Sequence, residues 1–368
     1  MILQQNQWDI PEVRPANPEV SEYGYIYGRR AFASTREGLI GLVQGGADLS
    51  FVWTPDSPEL VSPETVPFLL DALRTEHRKA GRTAIYWGSG LVGAAILLAL
   101  VAHQWRLLYR NLFFVLGAVF LTEGIWSYWR ASRYTQSDAI SDRSTARFRA
   151  WLKTKDLSAY SLALLACIVV VAIVQPISGN SVEIAGLVKP AVRNGEIWRL
   201  FTATLMHANI THFWMNSVAL IFLAKVIEHT VQRSFVPLIF LLTAPLGSIF
   251  SVFLYPNTTS IGASGGIMGL LGFITIASYF DRTRYPSKYF RHMIQAIVSM
   301  GVLGLFGFAF IDNAAHLGGL VGGLLLGWFL FRNERWIKEK EKLFNYAGVA
   351  ALFVLGFIAG ITVHHLLR

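Results

Sequence analysis

The stretch Ile261-Gly262-Ala263-Ser264-Gly265-Gly266 decides how the rest of the chain is read. It follows a short polar run, Tyr255 to Ser260, and opens an apolar run that continues to Tyr279. A serine at the first turn of a membrane-spanning helix lies beside unpaired backbone N–H groups and at the positive end of the helix dipole. Both features would stabilise an oxyanion formed when its hydroxyl attacks a carbonyl. The motif alone does not separate chemistry from packing, because small residues also let transmembrane helices approach closely.

Working outward, 53% of the 368 residues are hydrophobic and the mean hydropathy is +0.44, which excludes an ordinary soluble protein and indicates a multi-spanning membrane protein. Nine apolar runs are long enough to cross a bilayer: 83–103, 108–128, 159–177, 211–230, 235–255, 264–280, 291–311, 314–331 and 345–366. Lys and Arg crowd the segments before the first run and after the second, fourth, sixth and eighth, among them Arg74, Arg78, Lys79, Arg143, Arg147, Arg284, Lys288, Arg335 and Lys338. The alternate segments hold only Arg106, Arg110, Lys189, Arg193, Arg199 and the terminal Arg368. The N-terminus is therefore expected in the cytoplasm and the C-terminus outside. The net charge of +9 reads as this topology signal, with some attraction to anionic lipid, and implies no nucleic-acid partner.

The same pattern divides the chain. Residues 1–82 read as a small cytosolic region, with a short strand at Phe51-Val52-Trp53 and a capped amphipathic helix from Ser62 through Leu73. Residues 83–128 read as a transmembrane hairpin, 129–158 as a cytosolic linker, 159–332 as the core, and 333–368 as a basic loop with a last spanning helix. The single cysteine, Cys167, lies inside an apolar run and reads as packing. No signal-peptide pattern is visible in the first 82 residues, so the first apolar run is expected to be its own insertion signal.

With the N-terminus inside, the runs beginning near His212, Ser264 and His316 all enter from the outer face. His212 and Asn216, four apart and so on one helix face, Ser264 and His316 would then lie at one depth. His316 shares a stripe with Gly319, Gly323 and Gly327, and Ser264 has a matching strip in Gly265, Gly269 and Gly272. Two such strips let helices approach closely enough for a serine to reach a histidine acting as its base. Each residue also has a packing alternative: His316 bonded to a backbone carbonyl, His212 and Asn216 bridging helices. His212 and Asn216 equally suit donation to an oxyanion, and His207 reads as structural or interfacial. Ser260 reads as a loop or cap residue; Asp312, in the short turn before the eighth run, could orient His316 but reads rather as a solvated turn residue, which leaves a Ser–His pair rather than a triad. His-Glu-x-x-His is absent and no two aspartates occupy mid-span positions, so metallopeptidase and aspartyl chemistries are not expected, and neither metal nor cofactor is required.

Four motifs in order, Glu196-x-Trp198-Arg199, His207-x4-His212-x3-Asn216, Gly262-x-Ser264-Gly265 and Ala315-His316-x-x-Gly319-x-x-x-Gly323, resemble the rhomboid family of intramembrane serine proteases. The resemblance covers residues 159–332 and implies an all-α polytopic fold with a six-helix catalytic core. Two N-terminal spans, one C-terminal span and the small N-terminal domain would be additions. It implies Ser264 as nucleophile, His316 as general base, and His212, Asn216 and the Ser264 N–H as the oxyanion hole. Glu196 and Arg199 would hold the loop 178–210 against the core. Met268 departs from the family, which in some members carries an aromatic residue there that stacks on the catalytic histidine. Transmembrane proteins in a lipid bilayer would be the substrates, and the bacterial inner membrane the expected location. A catalytically inactive adaptor that binds transmembrane segments is the alternative. Oligomeric state is not read from the sequence.

Overall fold

The computed structural model describes residues 23–368 apart from 28, 29, 48, 50, 106, 107, 109, 110, 309 and 333–338. Arg106, Arg110, Arg335 and Lys338 of the charge pattern lie outside those residues. The chain folds as two units, Met1–Phe148 with Leu305–Ala309, and Arg149–Gly304 with Phe310–Arg368.

The first unit holds strands β1 (Tyr23–Tyr27), β2 (Arg30–Ser34), β3 (Phe51–Thr54) and β4 (Ser57–Val61) in an antiparallel sheet ordered β2-β1-β3-β4. Helix α1 (Arg36–Gln44) begins where the Thr35 hydroxyl accepts the Gly38 N–H, 3.0 Å away. The sheet and α1 close on a core of Leu39, Val43, Val52, Leu69 and Ala72. The last two belong to α2 (Pro67–Val101), so the amphipathic helix expected near residue 62 and the first span are one helix of 35 residues. It crosses the boundary expected at residue 82 because Pro67 sits at the first helical position and no later proline interrupts it. Ser62 makes no side-chain cap; the Thr65 hydroxyl instead donates to the Ser62 carbonyl in a short 3₁₀ turn. Helix α3 (Leu112–Ala131) packs on α2 through glycines: a Cβ at Gly88 would lie 2.8 Å from the Gly117 oxygen, and one at Gly81 2.9 Å from the Gly124 oxygen. Helix α4 (Gln136–Lys153) occupies the linker, where Arg143 donates to Glu64 at 3.2 Å.

The second unit contains α5 (Ala159–Val174), short helices α6 (Ser181–Ala185), α7 (Lys189–Arg193) and α8 (Arg199–Thr202), then α9 (Ile210–Thr230), α10 (Phe235–Leu254), α11 (Ser264–Phe280), α12 (Tyr289–Phe306), α13 (Asn313–Phe331) and α14 (Glu341–Leu367). The expected six-helix core is α5 with α9 to α13. Helix α11 sits among α9, α10 and α13, and every residue from Gly265 to Thr275 is buried. Helix α14 packs on α5 and α10, whereas α12 buries only Tyr289, Met293 and Gly304. A two-stranded ladder, β5 (Leu187–Val188) with β6 (Thr259–Ser260), ties the segment before α11 to the loop before α9.

Among the described residues, seven helices are long and apolar enough to cross a membrane: α2, α5, α9, α10, α12, α13 and α14. Two of the nine expected spans differ. The 17 residues of α11 make it a shorter apolar helix, and α3, which carries Glu123 and has Arg130 in its last turn, is not among the seven. The chain is a multi-pass membrane protein with a small N-terminal sheet.

Candidate active site

Ser264 is the first residue of α11, preceded by the fully buried Ala263. The turn that delivers it depends on Gly262, whose φ of +142° lies in a region that disfavours side chains. The Gly262 N–H donates to the Ala203 carbonyl at 2.9 Å, holding the turn against the preceding loop. A Cβ on Gly262 would sit 2.9 Å from Cε1 and 3.2 Å from Nε2 of His212, and 3.8 Å from Ser264 Oγ. One empty side-chain position is thus shared by the imidazole of α9 and the hydroxyl of α11.

His212 is fixed from its own helix. Asn209 caps α9 by accepting the His212 N–H at 2.9 Å, and the Ala208 N–H points at His212 Nδ1 from 3.4 Å. An acceptor role for Nδ1 assigns the ring proton to Nε2, on the side of Gly262 and Ser264. Asn216 is buried and its Nδ2 donates to the His212 carbonyl at 3.0 Å. His207 packs edge-on against His212, with ring centroids 5.2 Å apart, and against Phe213 at 5.4 Å. Among the described residues its ring nitrogens meet no hydrogen-bond partner. Burial, then the neighbouring His212, pushes its pKa down to about 4, so it sits there as a neutral ring. Gln175 holds the His207 backbone from both sides, accepting its N–H at 2.9 Å and donating to its carbonyl at 2.7 Å.

The loop 178–210 is held by Arg199, only 7% exposed. Its Nε donates to Glu196 at 2.7 Å, and its Nη1 donates to the carbonyls of Glu183 and Gly186, each at 2.9 Å. Trp198 stacks on His365 of α14 at 4.3 Å.

The helix bearing His316 meets α11 backbone to backbone. A Cβ at Gly319 would lie 1.9 Å from the Gly265 oxygen, and one at Gly323 1.9 Å from the Gly269 oxygen. Gly247 of α10 adds a third surface, where a Cβ would lie 2.6 Å from the Ala315 oxygen. Ser264 precedes Gly265 and His316 follows Ala315, so both side chains issue from the same end of this contact. Both are partly buried. Among the described residues no hydrogen bond joins Ser264 Oγ to the His316 ring. Met268 is buried.

Asp312 is not the solvated turn residue expected from sequence, and Ser260 is bonded to it. Asp312 caps α13, accepting the Ala315 N–H at 3.0 Å, and it also accepts from the hydroxyls of Ser251 and Ser260. Lys189, with a side chain wholly buried, lies 3.6 Å from it and donates to the Thr258 hydroxyl. Burial works to raise the Asp312 carboxyl, but the bonds from Ser251, Ser260 and the Ala315 N–H, with Lys189, outweigh it and hold the group below its ordinary range. Gln175, Lys189 and Ser251 carried no motif that singled them out. Among the described residues no group of three His, Cys, Asp or Glu side chains could hold a metal ion.

Residues 194–333 match the family model of the Rhomboid domain. The chain is 33% identical over 144 residues to the putative rhomboid protease YdcA of Bacillus subtilis (strain 168), covering 39% of this chain and 72% of that protein. The chain belongs to the rhomboid family. It is also 29% identical over 188 residues to RHOMBOID-like protein 4 of Arabidopsis thaliana, 47% of this chain and 48% of that one. Rhomboid protease GluP of Bacillus subtilis (strain 168) is 35% identical over 135 residues, 36% of this chain and 26% of that protein. The chain spans about half the length of plant rhomboid-like relatives that it matches (48% to 60%). The matched region contains the start of α11 and the glycine seam with α13, and stops short of the N-terminal sheet and hairpin.

Proposed function

We propose that this rhomboid protein is an intramembrane serine endopeptidase that cleaves transmembrane segments of other membrane proteins with a Ser264–His316 dyad. The observation that carries the reading is the shared space around Gly262, where the His212 ring and the Ser264 hydroxyl converge at a helix start. Ser264 Oγ attacks the scissile carbonyl while His316 takes its proton and returns it to the leaving amine. The developing oxyanion is met by the Nε2–H of His212, the free N–H of Asn216 and the Ser264 backbone N–H. Water then hydrolyses the acyl-enzyme. The 17 residues of α11 rise about 25 Å, less than the ~30 Å hydrocarbon core, so Ser264 would lie beneath the surface rather than at it. Helix α12, with three buried residues, is the loosely packed wall through which a substrate helix would enter beside α9. The Lys and Arg pattern supports an outer-face site, a cytoplasmic N-terminus and an external C-terminus. The catalytic core in this reading is residues 159–332, and the membrane is a bacterial inner membrane.

The second reading, a rhomboid-fold adaptor without peptidase activity, is favoured by the lack of a hydrogen bond between Ser264 and His316. Such bonds tighten in many enzymes only when substrate is bound. A fluorophosphonate probe and a model transmembrane substrate in proteoliposomes separate the two. The peptidase labels and cleaves, and Ser264→Ala does neither; equal labelling or unchanged cleavage by that variant rejects Ser264 as nucleophile, and a wild type that neither labels nor cleaves leaves the adaptor.

A further inference from the structure

The polar cluster at the start of α13 joins four separate segments, with Lys189 and Ser251 buried in it. Lys189 comes from the loop before α9, Ser251 from α10, Thr258 and Ser260 from the connection into α11, and Asp312 from the turn before α13. Lys189, Ser251 and Ser260 converge on the Asp312 carboxylate, whose side chain is 17% exposed, and Thr258 joins them through Lys189. A carboxylate so placed needs compensation, and here it receives two hydroxyl bonds, one backbone N–H and an ammonium 3.6 Å away.

Its connection to the candidate base is direct along the backbone. The Asp312 side chain accepts the Ala315 N–H, and the Asp312 carbonyl accepts the N–H of His316 itself at 3.1 Å. One residue therefore closes the first turn of the helix, holding the N–H groups of Ala315 and His316. The same carboxylate grips Ser260, in the strand four residues before Ser264. The segments that carry nucleophile and base are referenced to a common point.

We propose that Asp312, held by Lys189, is a positioning residue that sets His316 against Ser264. This rests on the dyad reading. It touches no reacting atom, and acts through the first turn of α13 and through β6. The loop 178–210 takes part because Lys189 supplies the cation, so loosening that loop withdraws the charge that keeps Asp312 in place.

The test uses the full chain in detergent and in proteoliposomes, comparing wild type with Asp312→Ala, Asp312→Asn and Lys189→Met. Four quantities are read: kcat and KM on a model transmembrane substrate, the rate of fluorophosphonate labelling, the melting temperature, and the His316 ring resonances in histidine-labelled protein, assigned with His316→Ala. Asp312→Ala should lower kcat about tenfold or more, slow labelling by a similar factor, leave KM within about twofold and move the His316 resonances, since small misplacements of a reacting group are costly. Asp312→Asn keeps an oxygen that caps the helix and should recover part of that loss. Lys189→Met should fall between that variant and wild type. The proposal is overturned if Asp312→Ala melts lower yet keeps wild-type kcat per folded molecule with unmoved His316 resonances. If wild type neither cleaves nor labels, the dyad reading fails first, and the resonances still report whether Asp312 sets the His316 ring.

Discussion

Two helix pairs in this protein meet through glycines, and the difference between them separates packing from chemistry. In the α2–α3 hairpin, Gly81 and Gly88 face Gly124 and Gly117, with room for a Cβ no nearer than 2.7 Å to the opposite backbone. In the α11–α13 pair the corresponding clearance falls to 1.9 Å at Gly319 and Gly323. The first seam is flanked by apolar and aromatic side chains. The second begins with Ser264 on one helix and His316 on the other, beside His212 and a fixed carboxylate. Glycine stripes alone therefore identify close helix contacts, and the polar residues at their ends identify the candidate site.

Removing the hydroxyl should break the comparison most sharply. Ser264→Ala is expected to lower cleavage by about 10³-fold or more, read on a transmembrane substrate in proteoliposomes. Next, Asn216→Ala should reduce kcat by about a hundredfold with the melting temperature little changed, as expected for one oxyanion donor. Alanine at the two seams should then give opposite outcomes. Gly319→Ala must displace the Gly265 carbonyl and should cost about 1–3 kcal/mol of stability along with most cleavage. Gly88→Ala should destabilise by a similar amount, measured by thermal unfolding, and keep cleavage per folded molecule. Gly88→Ala abolishing cleavage outright would erase the distinction drawn between the seams.

A smaller effect is expected from pH. The His207 pKa is depressed from 6.5 to about 4 in the folded protein, so the unfolded chain takes up the proton first. Its contribution is complete above about pH 6.5 and is lost as pH falls through 4, worth up to about 3 kcal/mol. Melting temperature followed from pH 7.5 to 4 should decline, and His207→Phe should flatten that decline.

Much of this architecture is legible in the residues. The limits of α9, α10, α11 and α13 match the apolar runs to within about a residue, because polar or glycine-rich breaks bound each one. The fusion of the segment at 62–73 with the first span was hidden, since nothing between Ala72 and Thr83 marks either a stop or a continuation. The pairing of glycines across α11 and α13 follows from their spacing, whereas the convergence on Gly262 depends on a positive φ that no periodicity reveals. Lys189 is the clearest omission: it reads as a loop charge, and the sequence, which places Asp312 near His316, gives no sign of the cation beside it. Only the fold brings two loops 123 positions apart into one ion pair. Gln175 is similar: a lone amide near the end of an apolar run, whose role exists only because the His207 backbone passes beside it.

The unbroken course of α2 has a consequence of its own. Its first turns are part of the core beneath the sheet, through Leu69 and Ala72, while Gly81 and Gly88 lock onto α3. At about 1.5 Å per residue its 35 residues extend about 52 Å, some 20 Å more than a bilayer's hydrocarbon needs. The sheet and the hairpin therefore share one rod, and the first turns that complete the sheet's core are continuous with the turns that pack on α3.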